Sequence, residues 1–106
     1  MRIEIYQDEQ GREPFTEWLD SIKDRVTQNR IRNRLRRIEL GNFGDYESVG
    51  DGVFELRLHF GKGYRIYFGR FSSEIVVLLA GGDKSTQARD IQKAKHYWVN
   101  YKRVKQ

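Results

Sequence analysis

The segment from residue 52 to residue 80 constrains the fold most, because it contains three strand-like runs joined by short turns. Apolar and polar residues alternate over residues 54–60 and again over residues 64–68. This alternation is typical of strands that have one apolar and one polar face. Gly61-Lys62-Gly63 lies between the two runs. The pattern therefore predicts a tight antiparallel hairpin.

Two further strands are predicted on either side of this hairpin. Residues 75–80 are apolar at every position, which indicates a central strand that is covered on both faces. Residues 1–6 alternate, with Ile3 and Ile5 on one face, and predict a short N-terminal strand. Residues 41–52 are rich in Gly and Asp and are predicted to form a loop over the top of the sheet.

Helical spacing of apolar residues appears in three places. Pro14 fits the first position of a helix, and a second helical segment follows near Asp24 and ends at Gly41. We expect these two helices to form an antiparallel pair, and a last helix to run from about Thr86 to Tyr101. The residues predicted to face the core are Phe15, Trp18, Leu19 and Ile22, then Val26, Ile31, Leu35 and Ile38, and finally Ile91, Ala94, Trp98 and Tyr101.

Together these elements predict an α+β fold in a single domain over residues 1–106, with a curved antiparallel sheet. The formal net charge is +5, which favours an anionic partner such as nucleic acid. The chain has no cysteine, which excludes disulfides and thiolate metal sites. Its first residues lack the apolar core expected of a secretion signal, and no apolar run is long enough for a membrane span. We therefore expect a cytoplasmic protein with no membrane partner.

Arg57 and Arg65 are the first candidates for a functional site. Strand alternation places both on the polar side of adjacent antiparallel strands. A guanidinium group can donate two hydrogen bonds to one phosphate and remains charged at any working pH. Two such groups on a rigid sheet could hold a scissile phosphate and stabilise the charge that develops on it. The alternative is ordinary ion pairing with Glu55 or Asp51.

Lys84 follows the predicted central strand in the turn Gly81-Gly82-Asp83-Lys84-Ser85-Thr86-Gln87. The two glycines would let the backbone approach a ligand closely, and the helix that follows would offer free N–H groups to an anion. The spacing matches neither a P-loop nor a dinucleotide fingerprint. Alternatively, Ser85 or Thr86 simply caps the helix and Lys84 extends into solvent.

Other side chains are candidates for RNA contacts. Tyr67 lies on the arginine face and could stack on a base. His59 lies on the same face and is either a general base or a surface histidine. Arg34, Arg37 and Lys93 could contact a nucleic-acid backbone, although an arginine-rich helix is also typical of a solvated face. The two histidines have no carboxylate at ligand spacing, so neither a metal nor a cofactor is predicted.

Several blocks of the chain resemble the RelE/ParE toxin superfamily, and more narrowly its phage-derived, HigB-like addiction-module killer branch. The resemblance covers nearly the whole chain. It is carried by the blocks Trp18, Ile31-Arg32-Asn33-Arg34-Leu35, Gly41-Asn42-Phe43-Gly44-Asp45, Val53-Phe54-Glu55-Leu56-Arg57, Gly63-Tyr64-Arg65-Ile66-Tyr67-Phe68, Leu78-Leu79-Ala80, and Gly81-Gly82-Asp83-Lys84-Ser85-Thr86-Gln87 with Asp90-Ile91.

The resemblance implies a bacterial type II toxin that cuts mRNA in the ribosomal A site, by attack of a 2′-hydroxyl on the adjacent phosphate and without metal. By position, Arg57 and Arg65 would stabilise the phosphate, Lys84 would be a further cation or proton donor, and Tyr67 would be a stacking or orienting group. The implied partners are a helix-turn-helix antitoxin, the ribosome and mRNA, and operator DNA through the antitoxin. Two alternatives stay open: a ParE-like inhibitor of DNA gyrase, and a toxin remnant that only binds its antitoxin.

Overall fold

The computed structural model describes residues 1–105 and contains a sheet of five strands with helices on both faces. A single turn of 3₁₀ helix, Lys84–Thr86, precedes the last helix. The elements in chain order are β1 (Arg2–Ile5), α1 (Pro14–Ser21), α2 (Arg25–Glu39), β2 (Tyr46–Gly50), β3 (Val53–Leu58), β4 (Tyr64–Ser72), β5 (Ile75–Gly82) and α3 (Gln87–Lys105).

The strand order in the sheet is β1-β5-β4-β3-β2. The predicted hairpin of β3 and β4 is confirmed, and β5 is an interior strand as its apolar sequence indicated. The predicted α+β fold is confirmed, but two of its details were wrong. Strand β1 runs parallel to β5, so the sheet is mixed rather than antiparallel. Residues 46–50, placed in a loop, form edge strand β2, whose mostly exposed side chains give no apolar alternation.

Two separate cores lie on the two faces of the sheet. On one face, α1 and α2 bury Phe15, Leu19, Ile31 and Ile38 against side chains of β3, β4 and β5. On the other face, α3 packs against the sheet and buries three of its predicted core residues, Ala94, Trp98 and Tyr101. Val26, which was expected in the first core, is exposed. Because both faces are covered, the face that carries Arg57 and Arg65 is not an open polar surface along its whole length.

The predicted end of α2 at Gly41 is confirmed in detail. The N–H of Gly41 donates to the carbonyl of Ile38 at 2.8 Å, and the N–H of Asn42 donates to that of Arg37 at 2.8 Å. Gly41 has a φ of 88°, a left-handed conformation that glycine adopts without a steric penalty. This Schellman arrangement satisfies two helix carbonyls and turns the chain towards β2.

The glycine pair before α3 has a different role from the one predicted. A Cβ at Gly81 would collide with the indole of Trp18, and one at Gly82 would collide with the carboxylate of Asp90. The glycines therefore let side chains of α1 and α3 press against the end of β5, rather than opening the backbone to a ligand. No helix within residues 1–105 is long and apolar enough to cross a membrane.

Candidate functional site

A polar end of the sheet is formed where β2, β3, β4 and the turn before α3 meet. Arg57 lies directly opposite Arg65 on β4, and Arg65 lies opposite Gly82 on β5. On the other side of Arg57, its N–H donates to the carbonyl of Asp45 at 3.0 Å. We use the name polar end for Asp45, Glu47, Glu55, Arg57, His59, Arg65 and Lys84.

Glu55 is the buried centre of this group, with a side chain that is 1% exposed. Its carboxylate accepts hydrogen bonds from Tyr67 Oη at 3.1 Å, Gln87 Nε2 at 2.8 Å and Arg57 Nε at 3.3 Å. Arg65 Nε lies 3.5 Å from the same carboxylate. A buried carboxylate is stable only where hydrogen bonds and opposite charges compensate it. Glu55 therefore ties β3, β4 and α3 together at the polar end.

Sequence reasoning considered Glu55 only as an ordinary ion-pair partner and missed this role. Alternation along β3 showed that Glu55 shares a face with Arg57, but it gave no sign that α3 covers that face. The signal in the sequence was the position of Glu55 relative to the two arginines. An acidic residue two positions from an arginine, and diagonally across from a second one, can be buried with both charges compensated.

Arg57 and Arg65 are held by acidic partners, but to different degrees. Arg57 also pairs with Glu47, and its side chain is 28% exposed. The hydrogen bond to Glu47, followed by the one to Glu55, raises the pKa of Arg57. Arg65 is 14% exposed, and its Nη1 donates to the carbonyl of Gly63 at 2.8 Å. Its Nε makes no hydrogen bond within residues 1–105, so its 3.5 Å contact with Glu55 is an ion pair only.

The ion-pair alternative considered for these arginines is thus confirmed for Glu55. It was wrong for Asp51, which pairs instead with Lys95 at 3.5 Å. Glu55 therefore compensates both arginines from the buried side of the sheet, while the exposed Glu47 pairs with Arg57 from the outside.

Tyr67 does not lie on an accessible surface, and its predicted stacking on a base is wrong. The ring is fully buried in the core beneath α3, and the hydroxyl donates to Glu55. Burial is the largest cause that raises the pKa of Tyr67, followed by the charge of Glu55. Tyr67 therefore remains a neutral donor that orients the buried carboxylate.

Arg34 has a structural role that the sequence analysis did not predict. Its guanidinium donates to the carbonyls of Arg57 at 3.0 Å and Phe43 at 3.1 Å, and more weakly to that of Asp45 at 3.4 Å. These bonds hold the chain before β2 in place, and RNA contact stays a prediction for Arg34. Arg37 and Lys93 are exposed on helices that pack against opposite faces of the sheet, and RNA contact stays a prediction for both.

Lys84 is exposed at the start of the turn that leads into α3. The cap of this turn is Asp83 rather than Ser85, one of the two residues considered as caps. Asp83 accepts from the N–H of Ser85 at 2.8 Å, and the hydrogen bond from the Ser85 hydroxyl is the main cause that lowers the pKa of Asp83. Thr86 completes the capping box. The backbone N–H of Lys84 donates to the carbonyl of Lys62 at 3.3 Å, which places Lys84 beside the β3–β4 hairpin.

His59 follows β3 directly and is 70% exposed. Its Nε2 lies 2.6 Å from Oδ2 of Asp45. This hydrogen bond is the largest cause that lowers the pKa of Asp45, and the charge of Arg57 adds to it. The polar end therefore combines a buried acid, two arginines, a lysine and a histidine–carboxylate pair. Within residues 1–105, no group of three His, Cys, Asp or Glu side chains is placed to hold a metal ion.

The family model that matches this chain covers every residue of the polar end. The family model described as "Phage derived protein Gp49-like (DUF891)" matches residues 17–98. An uncharacterised protein of Haemophilus influenzae is 48% identical over 81 residues, which cover 76% of this chain and 82% of that protein. The chain therefore belongs to the phage-derived Gp49-like family, a toxin-like family related to addiction modules of the RelE/ParE type.

Proposed function

We propose that this protein is the toxin of a type II toxin–antitoxin module of the HigB-like branch, and that it cuts mRNA on the ribosome without metal. The observation that carries this proposal is the cross-strand pair of Arg57 and Arg65, fixed from below by Glu55. Attack of a 2′-hydroxyl on the neighbouring phosphate creates extra negative charge on the phosphate oxygens. Donors that are fixed in advance stabilise such charge most effectively.

The outer partner of Arg57 is suited to being replaced by a phosphate. Glu47 is 61% exposed on an edge strand. Ion pairs between accessible groups contribute only about 0–1 kcal/mol. A phosphate, which accepts two hydrogen bonds from one guanidinium, can compete for Arg57 at small cost. Lys84 lies beside the hairpin as a further cation and would donate a proton to the leaving 5′ oxygen.

A toxin of this family requires an antitoxin, and the polar end indicates how the antitoxin acts. We propose that it places acidic groups near Arg57, Arg65 and Lys84, where they compete with the RNA phosphate. The neighbouring gene would encode a small helix-turn-helix protein, through which the complex reaches operator DNA. Co-expression of that gene should restore growth, and its absence beside this gene counts against the proposal.

The test uses purified protein with ribosomes that carry a defined mRNA. We expect cleavage at the A-site codon by the wild type and no cleavage of the same mRNA without ribosomes. Arg65→Gln should reduce the cleavage rate by about 10²-fold or more, the size of effect that follows loss of one fixed donor to a developing oxyanion. Intact mRNA in the wild-type reaction contradicts the proposal.

One observation favours a second candidate function, the binding of a protein target such as DNA gyrase without cleavage. Arg57 is paired on both sides by Glu47 and Glu55, and Arg65 is 14% exposed, so neither arginine is fully free for a ligand. A protein that needs this cluster only for its own fold would show the same pairing. In that case a supercoiling assay with gyrase would show inhibition while ribosome-bound mRNA stays intact.

A further inference from the structure

The hydrogen bond between His59 and Asp45 has a defined direction. A carboxylate only accepts hydrogen bonds, so the 2.6 Å contact requires that Nε2 of His59 carries the hydrogen. The neutral imidazole then has its free lone pair on Nδ1. Because the His59 side chain is 70% exposed, a ligand at the polar end can approach this ring.

The backbone at Asp45, just before edge strand β2, is fixed by hydrogen bonds from other elements. Its carbonyl accepts from the N–H of Arg57 at 3.0 Å and from Nη2 of Arg34 at 3.4 Å. Arg34 reaches from α2 and also binds the carbonyls of Phe43 and Arg57. Gly44 has a φ of 70°, and a Cβ there would collide with the Arg34 guanidinium. The backbone on both sides of the carboxylate is therefore fixed to α2 and β3.

His59 is also close to the proposed phosphate clamp. His59 lies two residues after Arg57 along the chain. Two residues of extended chain span about 7 Å. The charges that act on Asp45 besides His59 are Arg57 and Arg34. The other charged groups at this end of the sheet are Glu47, which pairs with Arg57, Arg65 across from Arg57, and Lys62 and Lys84, whose backbones are hydrogen-bonded to each other at the hairpin. If a phosphate of the RNA binds Arg57, the His59 imidazole therefore lies within about one nucleotide length of that phosphate.

We propose that His59 is the general base of the cleavage proposed above, and that Asp45 and Arg34 are its positioning residues. The inference rests on the proposed function. Nδ1 of His59 takes the proton of the 2′-hydroxyl as the O2′–P bond forms. The P–O5′ bond breaks, and O5′ takes a proton from the Lys84 ammonium. Water then removes the proton from the imidazolium and returns one to Lys84, so the products are a 2′,3′-cyclic phosphate and a 5′-hydroxyl, with no other reactant.

The experiment measures single-turnover cleavage of ribosome-bound mRNA at saturating protein, over roughly pH 5 to 8, the range in which imidazoles titrate. Wild-type cleavage should slow on the acid side, because a protonated imidazole accepts no proton. His59→Gln should lower the rate about 10²- to 10⁴-fold and remove this acid limb. Asp45→Asn should lower the rate about tenfold or more because it no longer fixes the tautomer, and Asp45→Glu should recover part of it. Asp51→Asn is the matched control.

A nitrogen NMR spectrum of the imidazole side chains adds a readout that does not depend on cleavage. We expect the Nε2–H tautomer for His59 in the wild type and a mixture of tautomers in Asp45→Asn. If the wild type cuts while His59→Gln cuts equally fast with an unchanged pH profile, His59 is not the base and the proposed nuclease function stands. If the loss of cleavage in His59→Gln disappears at a higher concentration of the variant, the substitution has weakened only RNA or ribosome binding. That outcome also contradicts the inference. If the wild type leaves the mRNA intact, both proposals fail together.

Discussion

Arg57 and Arg65 lie directly opposite each other on adjacent strands, and both guanidinium groups face the carboxylate of Glu55. Two like charges at directly opposed strand positions destabilise a sheet when nothing lies between them. The buried acid offsets this repulsion, and it does so from the inner side, which α3 covers. The same arrangement that makes the sheet stable therefore fixes the two cations at its exposed end.

Removal of the Glu55 charge should destabilise the protein strongly. Glu55→Gln keeps the shape of the side chain but leaves Arg57 and Arg65 facing each other with no compensating anion inside. We expect the free energy of unfolding in urea to fall by about 3 kcal/mol, as for a buried ion pair that loses one partner. Glu47→Gln, which removes the exposed partner of Arg57, is the control and should cost less than about 1 kcal/mol. Equal effects of the two substitutions contradict the central role of Glu55.

Arg34 should be replaceable by lysine only at a cost. A lysine carries the same charge, but it cannot donate in a fork to the separate carbonyls of Phe43 and Arg57. We expect Arg34→Lys to lower the free energy of unfolding by about 1–2 kcal/mol and to speed amide hydrogen exchange at the start of β2. Arg32→Lys, on the exposed side of the same helix, is the matched control. An unchanged exchange rate at Tyr46 shows that Arg34 does not hold this segment.

The hydrogen bond between Tyr101 and Glu4 predicts a pH-dependent stability. Tyr101 Oη donates to Oε1 of Glu4 at 2.6 Å and joins α3 to β1. This bond is the largest cause that lowers the pKa of Glu4, and burial raises the pKa of Tyr101, which keeps the hydroxyl protonated. We expect Tyr101→Phe to lose about 1 kcal/mol at neutral pH.

The sign of the pH dependence follows from linkage. Because the folded-state pKa of Glu4 lies below its unfolded value, the bond stabilises fully above the unfolded value. Its contribution is lost as the pH falls through the folded value. Urea unfolding at a series of acid pH values should therefore show the wild-type and Tyr101→Phe curves converging as the pH decreases. A difference that stays constant into this acid range shows that the charge of Glu4 is not involved.

Gly81 should not tolerate even a methyl group. A Cβ at this position would enter the space of the Trp18 indole, which packs α1 onto the end of β5. Overpacking of a well-filled core typically costs about 1–3 kcal/mol, so we expect Gly81→Ala to lower the melting temperature clearly. Ser73→Ala, in the exposed turn between β4 and β5, provides the comparison. A Gly81→Ala variant as stable as the wild type contradicts the packing of Trp18 against this glycine.

Local patterns predicted the parts of the fold that depend on neighbouring residues. Alternation and a three-residue Gly-Lys-Gly turn were sufficient for the β3–β4 hairpin, and helical spacing gave α1 and most of α2 and α3. The parallel pairing of β1 with β5 joins residues more than seventy positions apart. No local pattern specifies such a contact, since it depends on how the helices between the two strands pack.

The sequence predicted which charged residues meet at the candidate site, but not how deeply its side chains are buried. Arg57 and Arg65 were correctly placed together, because strand alternation determines which face a side chain occupies. Tyr67 shares that face and was predicted to bind RNA, yet α3 covers it. Alternation gives the face of a residue, but whether another element covers that face is a tertiary property. The same limit applies to Glu55, whose importance depends on its burial.

The most direct test of the account is to express the protein from a tightly controlled promoter and map the 5′ ends of cellular mRNA while growth is followed. The wild type is compared with Arg65→Ala and with Arg32→Ala as a matched surface control, with the level of each folded protein measured. We predict growth arrest and new 5′ ends in phase with codons for the wild type and for Arg32→Ala, and the loss of both for Arg65→Ala. Growth arrest by the wild type without new 5′ ends contradicts the proposal of a ribosome-dependent nuclease.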